Sequence, residues 1–310
     1  MPPRSPLPPR HGLAAAWLRT PDRGVPRPDP WPTMGAWLRD RLPERVDIAA
    51  MLAERRFVHD DLTPVRDDEP YTPHTFVWFH RDLPDEVEVP GEIHVVHRDE
   101  RLVVVDKPAF LSSIPRGQHI RQSVVVRLRD ELGLPELSPL HRLDRVTSGL
   151  LMLATERRWR GPYQTMFQRG TVRKTYGALA PVRADLELPC TVTNHLVKRR
   201  GSWQAEVVPG APVNAETLVE LVDAGEGGLG RYRLTPRTGR THQLRVHLAG
   251  LGIPIVDDPL YPVVRDVAID DFTTPLQLLA QEIAFTDPID RTERWFGSVR
   301  RLPLPPGQAS

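Results

Sequence analysis

Cysteine is nearly absent from this sequence of 310 residues, and long apolar segments are absent altogether. The single cysteine, Cys190, can form no internal disulfide and cannot build a cysteine-based zinc site, so we expect a reducing, cytoplasmic environment. The longest apolar runs, at residues 102–105, 150–154 and 248–256, are far shorter than the roughly 20 residues of a membrane-spanning helix. The apolar stretch at residues 13–18 is too short for the core of a secretory signal. We therefore predict a chain that spans no membrane.

Lysine is scarce, and the total charge is close to zero. Only three of the 41 basic residues are lysines, and the 40 acidic residues leave a formal net charge of +1. This balance argues against a uniformly basic surface for nucleic acid. The charges are unevenly placed, however: residues 111–250 hold 21 basic and 12 acidic residues, whereas the rest of the chain holds 20 basic and 28 acidic ones. A basic middle in a neutral chain predicts a local anionic partner.

Proline content and periodicity divide the chain into four parts. Residues 1–30 have many prolines among scattered arginines and aspartates, and we interpret them as an extended or disordered arm. Residues 31–82 carry the patterns of a small α+β domain, residues 83–91 have the composition of a linker, and residues 92–310 form the main domain. The elements expected in the small domain are helices at 34–42 and 46–55, with Asp47 as a helix cap, and strands at 57–58 and 75–79.

Strands and helices do not alternate regularly in the main domain, which predicts an α+β fold with a central mixed or antiparallel sheet flanked by helices. The apolar run at 150–153 is typical of a fully buried strand. A helix is expected to open at Pro162, after a basic loop at 157–160, and to end at Gly170. Further strands are expected at 93–97, 102–106 and 171–179, and further helices at 123–132 and 240–251.

Two patterns that commonly mark cofactor sites are weak here. The glycines of residues 225–230 match the dinucleotide-binding spacing, but that fingerprint needs a following helix, and the strand-like residues 231–234 follow instead. We interpret the stretch as a hairpin turn, with a small-molecule enzyme as the disfavoured alternative. His242 and His247 are five residues apart, which places them on different sides of a helix, so we expect no metal site.

The strongest functional signal lies in two stretches far apart in the sequence, at residues 141–151 and 237–247. In the first, Asp144 stands between Arg142 and Arg145, just ahead of the expected buried strand. Neighbouring arginines favour the ionised carboxylate, which makes Asp144 a possible nucleophile. A structural ion pair is the alternative, and the pattern alone favours it.

These stretches resemble the RluA family of RNA pseudouridine synthases. The resemblance is carried by several motifs in the family's order and covers residues 92–295, so it implies a pseudouridine synthase catalytic domain over residues 92–310. The matching motifs are His141-Arg-Leu-Asp144 with Thr147-Ser-Gly149, Asp106-Lys-Pro108, Lys174-Thr-Tyr176, Gly239-Arg-Thr-His-Gln-Leu-Arg245, and residues 254–261 and 276–288.

The resemblance implies an isomerase that uses neither metal nor organic cofactor: it breaks the N–C glycosidic bond of a uridine, rotates the uracil and rejoins it through carbon. It assigns Asp144 as the nucleophile, which attacks the ribose C1′ or the uracil ring, or abstracts a proton in a glycal route. Tyr176 would pack against the target base and help move the C5 proton, and Arg245 would pair with Asp144. Arg142 would enter the stack that the flipped base leaves. The residues expected to contact RNA are Arg142, His141, Lys174, Arg237, Arg240 and His242.

The implied partner is a structured RNA, rRNA or tRNA, whose shape is read by loops and by the N-terminal domain. We expect the basic stretches 157–173, 198–200 and 231–245 to line the cleft, and we expect a monomer that requires no protein partner. A catalytically inactive RNA-binding or ribosome-assembly factor on the same fold is the alternative. Residues 34–79 weakly resemble an S4 RNA-binding domain in degenerate form, with a cap that packs on the catalytic domain as the other interpretation.

Three positions depart from the family pattern. Phe110 and Asp257 stand where the family has glycine, and Leu279 stands where it often has histidine. Because none of them is a proposed site residue, we expect altered loop geometry and retained activity.

Overall fold

The computed structural model describes residues 4–22, 31–83 and 85–302. Within these ranges, no helix combines the length and the apolar character that crossing a membrane requires. The parts of the sequence predictions that concern residues 1–3, 23–30, 84 and 303–310 lie outside the described residues.

The chain divides into two compact units, Met1–Asp85 and Glu86–Ser310. In the smaller unit, two short helices and a two-stranded antiparallel sheet share one apolar core, in which Trp37 and Val77 are fully buried. The Asp47 side chain accepts a hydrogen bond from the Ala50 N–H at 2.9 Å, so the expected helix cap is confirmed. The elements of this unit are β1 (Ala16–Arg19), α1 (Met34–Arg41), α2 (Ile48–Ala53) and β2 (Phe76–Phe79).

Two segments of the smaller unit differ from a simple reading of the pattern. Residues 16–19, predicted to lie in an extended or disordered arm outside the small domain, are extended but belong to that domain: they form β1, which pairs with β2 and packs Leu18 against the core. The strand expected at 57–58 is reduced to single bridges from Val58 to Pro64 and to Trp78.

The larger unit is built on a ten-stranded sheet, and the expected α+β class with a mixed sheet is confirmed. Its strands are β3 (His94–Arg98), β4 (Leu102–Lys107), β5 (Ser138–Pro139), β6 (Ser148–Ala154), β7 (Arg173–Pro181), β8 (Cys190–Asn194), β11 (Ala215–Ala224), β12 (Leu229–Pro236), β13 (Leu278–Thr286) and β14 (Glu293–Gly297). Two further strands, β9 (Leu196–Val197) and β10 (Glu206–Val207), form a separate ribbon. The order in the sheet is β3-β4-β6-β13-β7-β12-β11-β8, with β14 added on β13 and β5 on β6. All neighbours are antiparallel except β6 and β13, which run parallel.

In the described part of the larger unit, the helices that pack on this sheet are α3 (Val124–Glu131), α4 (Arg157–Arg169) and α5 (Gln243–Gly250). The expected fully buried strand is confirmed as β6, whose residues are buried from Gly149 to Ala154. Gly149 has a φ of +108°, and a Cβ there would lie 2.3 Å from the carbonyl oxygen of Ala280 on β13. The close parallel pairing of β6 and β13 therefore requires glycine at this position.

Two helix starts differ from the sequence prediction. Helix α4 begins at Arg157 instead of Pro162, so the expected basic loop is helical; Trp159 packs against the core beneath the sheet and gives this extra turn an apolar face. Helix α5 begins at Gln243 instead of Arg240, because His242 adopts a left-handed backbone with a φ of +58°. The glycines of residues 225–230 form the turn between β11 and β12, as predicted, and no helix follows them.

Candidate active site

Asp144 lies in the loop that leads into β6, and buried contacts hold the backbone of this loop. Lys107, at the end of β4, donates from Nζ to the carbonyl oxygens of Arg145, Leu111 and Pro108 at 3.1, 2.8 and 2.9 Å. Burial lowers the pKa of Lys107 to about 7, against the opposing effect of the Asp144 charge. The three carbonyl acceptors match the three donors of an ammonium group. These hydrogen bonds hold the loop that carries Asp144, whose side chain is 28% exposed and therefore accessible to a ligand.

The partner of the Asp144 carboxylate is Arg245, which comes 101 positions later on α5. Its Nη1 donates to Asp144 Oδ2 at 3.2 Å, so the expected contact between these two residues is present. The flanking arginines lie elsewhere: Arg142 is exposed, and Arg145 donates to the Ile269 carbonyl and covers the ring of Phe110. The arginine that contacts the Asp144 carboxylate is therefore distant in the sequence, and neither flanking arginine has the role predicted for it beside this carboxylate.

Arg245 is shared between two carboxylates. Its Nε and Nη2 donate to the two oxygens of Asp258 at 2.8 and 2.6 Å, in a bidentate pair that is buried on both sides. Asp258 also accepts the backbone N–H groups of Leu260 and Tyr261. Burial lowers the pKa of Arg245, but the two carboxylates outweigh burial and raise it. A permanent positive charge is thus fixed beneath Asp144.

His242 and Tyr261 form the second side of the site. The His242 Nε2 lies 3.9 Å from Asp144 Oδ1, and its Nδ1 lies 2.9 Å from the Tyr261 hydroxyl. The Tyr261 ring packs edge-on against the imidazole and lies 5.3 Å from the guanidinium of Arg245. Burial lowers the pKa of His242 more than the nearby Asp144 raises it, so the ring is neutral at pH 7.

Tyr176 stands on β7, in the middle of the sheet, with its ring partly buried against the core under α5. Burial and then the charge of Asp144 raise the pKa of its hydroxyl, which stays protonated at neutral pH. Lys174 is on the same strand, and burial lowers its pKa.

The remaining predicted RNA contacts are spread around the site. The His141 ring stacks on Phe167, and its Nε2 accepts the Met152 N–H at 3.1 Å; burial lowers its pKa to about 3, so it is a neutral ring built into the fold. Arg237 is 78% exposed and pairs with Glu216. Arg240 is exposed and donates to the carbonyl of Asn214. The structure therefore brings Asp144, Arg245 and His242 into one cluster, with Tyr176 near enough to sense the Asp144 charge.

Three residues that surround this cluster were not predicted as site residues: Asp258, Tyr261 and Lys107. Each belongs to a segment that matches the family pattern, yet their roles depend on partners that only the fold brings close. Among the described residues, no group of three or more His, Cys, Asp or Glu side chains is arranged to hold a metal ion.

The chain is similar to known proteins over the region that contains this cluster. A sequence model described as RNA pseudouridylate synthase matches residues 101–250, which include Asp144, Tyr176 and Arg245. The dual-specificity RNA pseudouridine synthase RluA of Yersinia pestis is 31% identical over 204 residues, which make up 63% of this chain and 92% of that protein. RNA pseudouridine synthase 7 of Oryza sativa subsp. japonica is 35% identical over 176 residues, which make up 55% of this chain. The match covers 45% of the rice protein, so this chain spans less than half of that relative's length.

The fold is also found in a solved structure, Human RNA Pseudouridylate Synthase Domain Containing 1. It superposes with a TM-score of 0.54 at 22% sequence identity and covers 70% of this chain and 94% of the human one. At this identity, the similarity to the human structure supports the fold alone, and the assignment to a family rests on the sequence relatives.

Proposed function

The chain belongs to the RluA family of RNA pseudouridine synthases, which isomerise uridine to pseudouridine in RNA, and we propose that Asp144 is its catalytic nucleophile. The observation that carries this proposal is the geometry around one carboxylate. Asp144 is partly exposed, whereas Arg245 beneath it is 2% exposed and its charge is shared with the buried Asp258. A structural ion pair between Asp144 and Arg245 would not need a second, fully buried carboxylate to hold the arginine in place.

We propose that Arg245 acts by orientation and charge. Because its Nε and Nη2 are held by Asp258, only Nη1 is directed at Asp144, and it contacts a single carboxylate oxygen, Oδ2. The other oxygen, Oδ1, faces His242 at 3.9 Å and is the one available to the substrate. Attack on the ribose C1′, attack on the uracil ring and proton abstraction in a glycal route each need a carboxylate oxygen that Arg245 does not occupy, and Oδ1 is that oxygen.

Tyr176 is the proposed contact to the target base. Its ring presents an apolar face to the uracil. Its hydroxyl, which is protonated, can relay the C5 proton in the last step by accepting it while passing its own proton to solvent, and N1, released from the ribose, takes up a proton in exchange. Arg142 is exposed two residues from Asp144, where a guanidinium can occupy the space left by a flipped base. Flipping costs a few kcal/mol, less in a loop than in a duplex, so a structured RNA with an accessible uridine is the favoured substrate.

We propose that this RNA is ribosomal or transfer RNA in the cytoplasm, and that the protein acts as a monomer without a partner protein. The Yersinia pestis relative is named as dual-specificity, so a substrate set wider than one RNA is a reasonable starting point. The smaller unit, as a degenerate S4-like domain or a cap, is proposed to contribute to the choice of RNA.

Site-resolved pseudouridine mapping of total RNA tests the proposal. Cells that lack the gene are complemented with the wild type, with Asp144→Ala, or with Asp266→Ala, which removes an exposed carboxylate as a control. We expect one or a few pseudouridines to disappear on deletion and to return with the wild type and with Asp266→Ala only. Sites that return with Asp144→Ala would contradict the role of Asp144. A phenotype restored by Asp144→Ala without any change in pseudouridine would favour the RNA-binding or ribosome-assembly factor.

A further inference from the structure

The hairpin loop between β9 and β10 carries the most exposed large apolar side chain in the described part of the chain. Trp203 is 76% exposed, in a loop of residues 198–205 that contains three basic residues and no acidic one. An exposed tryptophan leaves a large apolar surface in water, since aromatic side chains bury 150–250 Å² when they are covered. The indole is therefore available to a partner, and the charge around it selects an anionic one.

The loop is attached to the candidate active site by hydrogen bonds on its C-terminal side. Ala205 donates its N–H to the Tyr261 hydroxyl at 2.6 Å, and the Gln204 side-chain amide donates to the carbonyls of Leu260 and Pro262. The Tyr261 hydroxyl contacts His242, which lies 3.9 Å from Asp144. Because consecutive Cα atoms are 3.8 Å apart, the Cα atom of Trp203 lies within ~8 Å of that of Ala205. Since Ala205 contacts Tyr261, Trp203 lies at the edge of the site.

The basic residues of the loop have different surroundings. Arg199 pairs with Glu206 across the ribbon and closes the base of the hairpin. Lys198 donates to the carbonyl of Ser202 and is near enough to His242 for its charge to lower the pKa of that ring. Arg200 is exposed at the tip. Positive charge therefore flanks the indole on the side that leads to Asp144.

We propose that Trp203 stacks on an unpaired base of the RNA next to the target uridine, while Lys198 and Arg200 contact its phosphates. An aromatic face with adjacent basic side chains is how proteins hold single-stranded nucleotides, since each base has a π-face and each phosphate a charge. This inference rests on the proposed RNA substrate and the proposed nucleophile. It adds a contact for the RNA outside the pocket that receives the target base.

Binding to paired RNA probes tests the stacking. One probe is a stem-loop with a uridine-rich loop, and the other is the same stem-loop whose loop nucleotides lack bases. Dissociation constants are measured in an Asp144→Ala background, so that the RNA is not modified, for Trp203→Ala, Trp203→Phe and Trp295→Ala. Trp295 is the matched control because it is also an exposed tryptophan, 60%, but lies on β14.

We expect Trp203→Ala to weaken binding to the uridine loop by roughly 5- to 150-fold, the effect of losing about 1–3 kcal/mol of stacking on one base. Trp203→Phe should lose less, Trp295→Ala should match the background protein, and all four proteins should bind the baseless loop equally. Equal affinity of Trp203→Ala and the background protein for the uridine loop would overturn the inference. The same loss on the baseless loop would also overturn it, because the indole would then act on the loop structure or on phosphates.

The proposed function is judged separately by pseudouridine formation with the wild type. If the wild type modifies RNA and Trp203 has no effect on binding, the inference fails and the function stands. If the wild type modifies RNA but the background protein has no affinity for either stem-loop, the inference fails as well, since stacking requires only an unpaired base. If the wild type neither binds nor modifies RNA, both proposals fail.

Discussion

Replacing Asp258 by asparagine is expected to destabilise the larger unit far more than the same replacement at Asp144. Both carboxylates contact Arg245, but Asp258 is fully buried and accepts four hydrogen bonds, two from Arg245 and two from backbone N–H groups. Asparagine has nearly the same shape and can accept through only one atom. Its amide group would direct hydrogens at a donor, whichever way it is turned.

The magnitudes follow from burial. Removing one partner of a buried ion pair costs about 3–5 kcal/mol, because the remaining charge stays in the interior without full compensation. Since Asp144 continues to neutralise part of the Arg245 charge, we expect Asp258→Asn to cost about 3 kcal/mol. Asp144 is partly exposed, its carboxylate accepts one hydrogen bond from Arg245, at 3.2 Å, and Arg245 keeps its bidentate partner without it. We therefore expect Asp144→Asn to cost about 1 kcal/mol or less, as for a partly solvated ion pair.

Urea unfolding of the full chain at pH 7 and constant salt measures both values, with Asp266→Asn as a control for loss of an exposed charge. The transition that loses stability should be the same for both site variants, while its midpoint should fall much further for Asp258→Asn. Pseudouridine formation should be lost in Asp144→Asn in spite of its near-normal stability. A larger loss of stability in Asp144→Asn than in Asp258→Asn would refute the assignment of Asp258 as the anchor of Arg245.

Two further predictions concern the fold around the site. His141 stays neutral in the folded chain down to about pH 3, whereas the unfolded chain protonates it below about pH 6.5. As the pH is lowered from about 6.5 to about 3, this group alone should therefore reduce the free energy of unfolding by ~1.4 kcal/mol per pH unit. His141→Gln should remove that slope in urea unfolding measured from pH 7 to 4, and an unchanged slope would contradict the prediction. Gly149→Ala should lower the free energy of unfolding by at least ~2 kcal/mol, because it puts a side chain on a residue with a positive φ and brings a Cβ within 2.3 Å of the Ala280 backbone. Thermal unfolding should show this loss. Gly161→Ala is the control, because a Cβ there meets open space.

The sequence predicted those features that depend on a family motif or on a local pattern of residues. Asp144 and Arg245 are far apart in the chain, and no periodicity links them, but the family motifs name both, and the structure places them in contact. The buried strand β6 and the turn at 225–230 were predicted from local pattern alone, because an unbroken apolar run and a strand on each side of a glycine cluster leave few alternatives.

The parts that were missed depend on tertiary contacts. Helix α5 begins late because the Gln243 side chain accepts from Thr238 and from the Arg240 N–H, which holds residues 237–242 as a loop and turns His242 toward Asp144. His141 is three residues from Asp144, yet its ring points at Phe167, since successive side chains in a loop need not share a direction. Asp258 is recognisable as an anchor only when Arg245 is seen to need a second partner.

The two glycine positions that the chain fills with other residues keep a backbone suited to glycine, where altered loop geometry was expected. Phe110 has a φ of +64° and Asp257 a φ of +60°, in the left-handed region. That conformation costs an ordinary L-residue roughly 1–2 kcal/mol, and aspartate less, because its short polar side chain tolerates it. The reason that phenylalanine is accepted must therefore lie in what its side chain contacts.

The Phe110 ring is buried between the loop that carries Asp144 and the segment that follows Asp258. It packs against Phe272 with ring centroids 5.5 Å apart, and the guanidinium of Arg145 lies 5.7 Å above it. Phe110→Gly would relieve the strain of ~1–2 kcal/mol but remove a ring whose deletion costs roughly 3–5 kcal/mol. We therefore expect a net loss of about 2 kcal/mol, whereas Asp257→Gly should stay within ~1 kcal/mol of the wild type, because the relief is offset by the greater freedom of the unfolded chain. A stabilised Phe110→Gly in urea unfolding would show that strain, rather than packing, decides the energy at this turn.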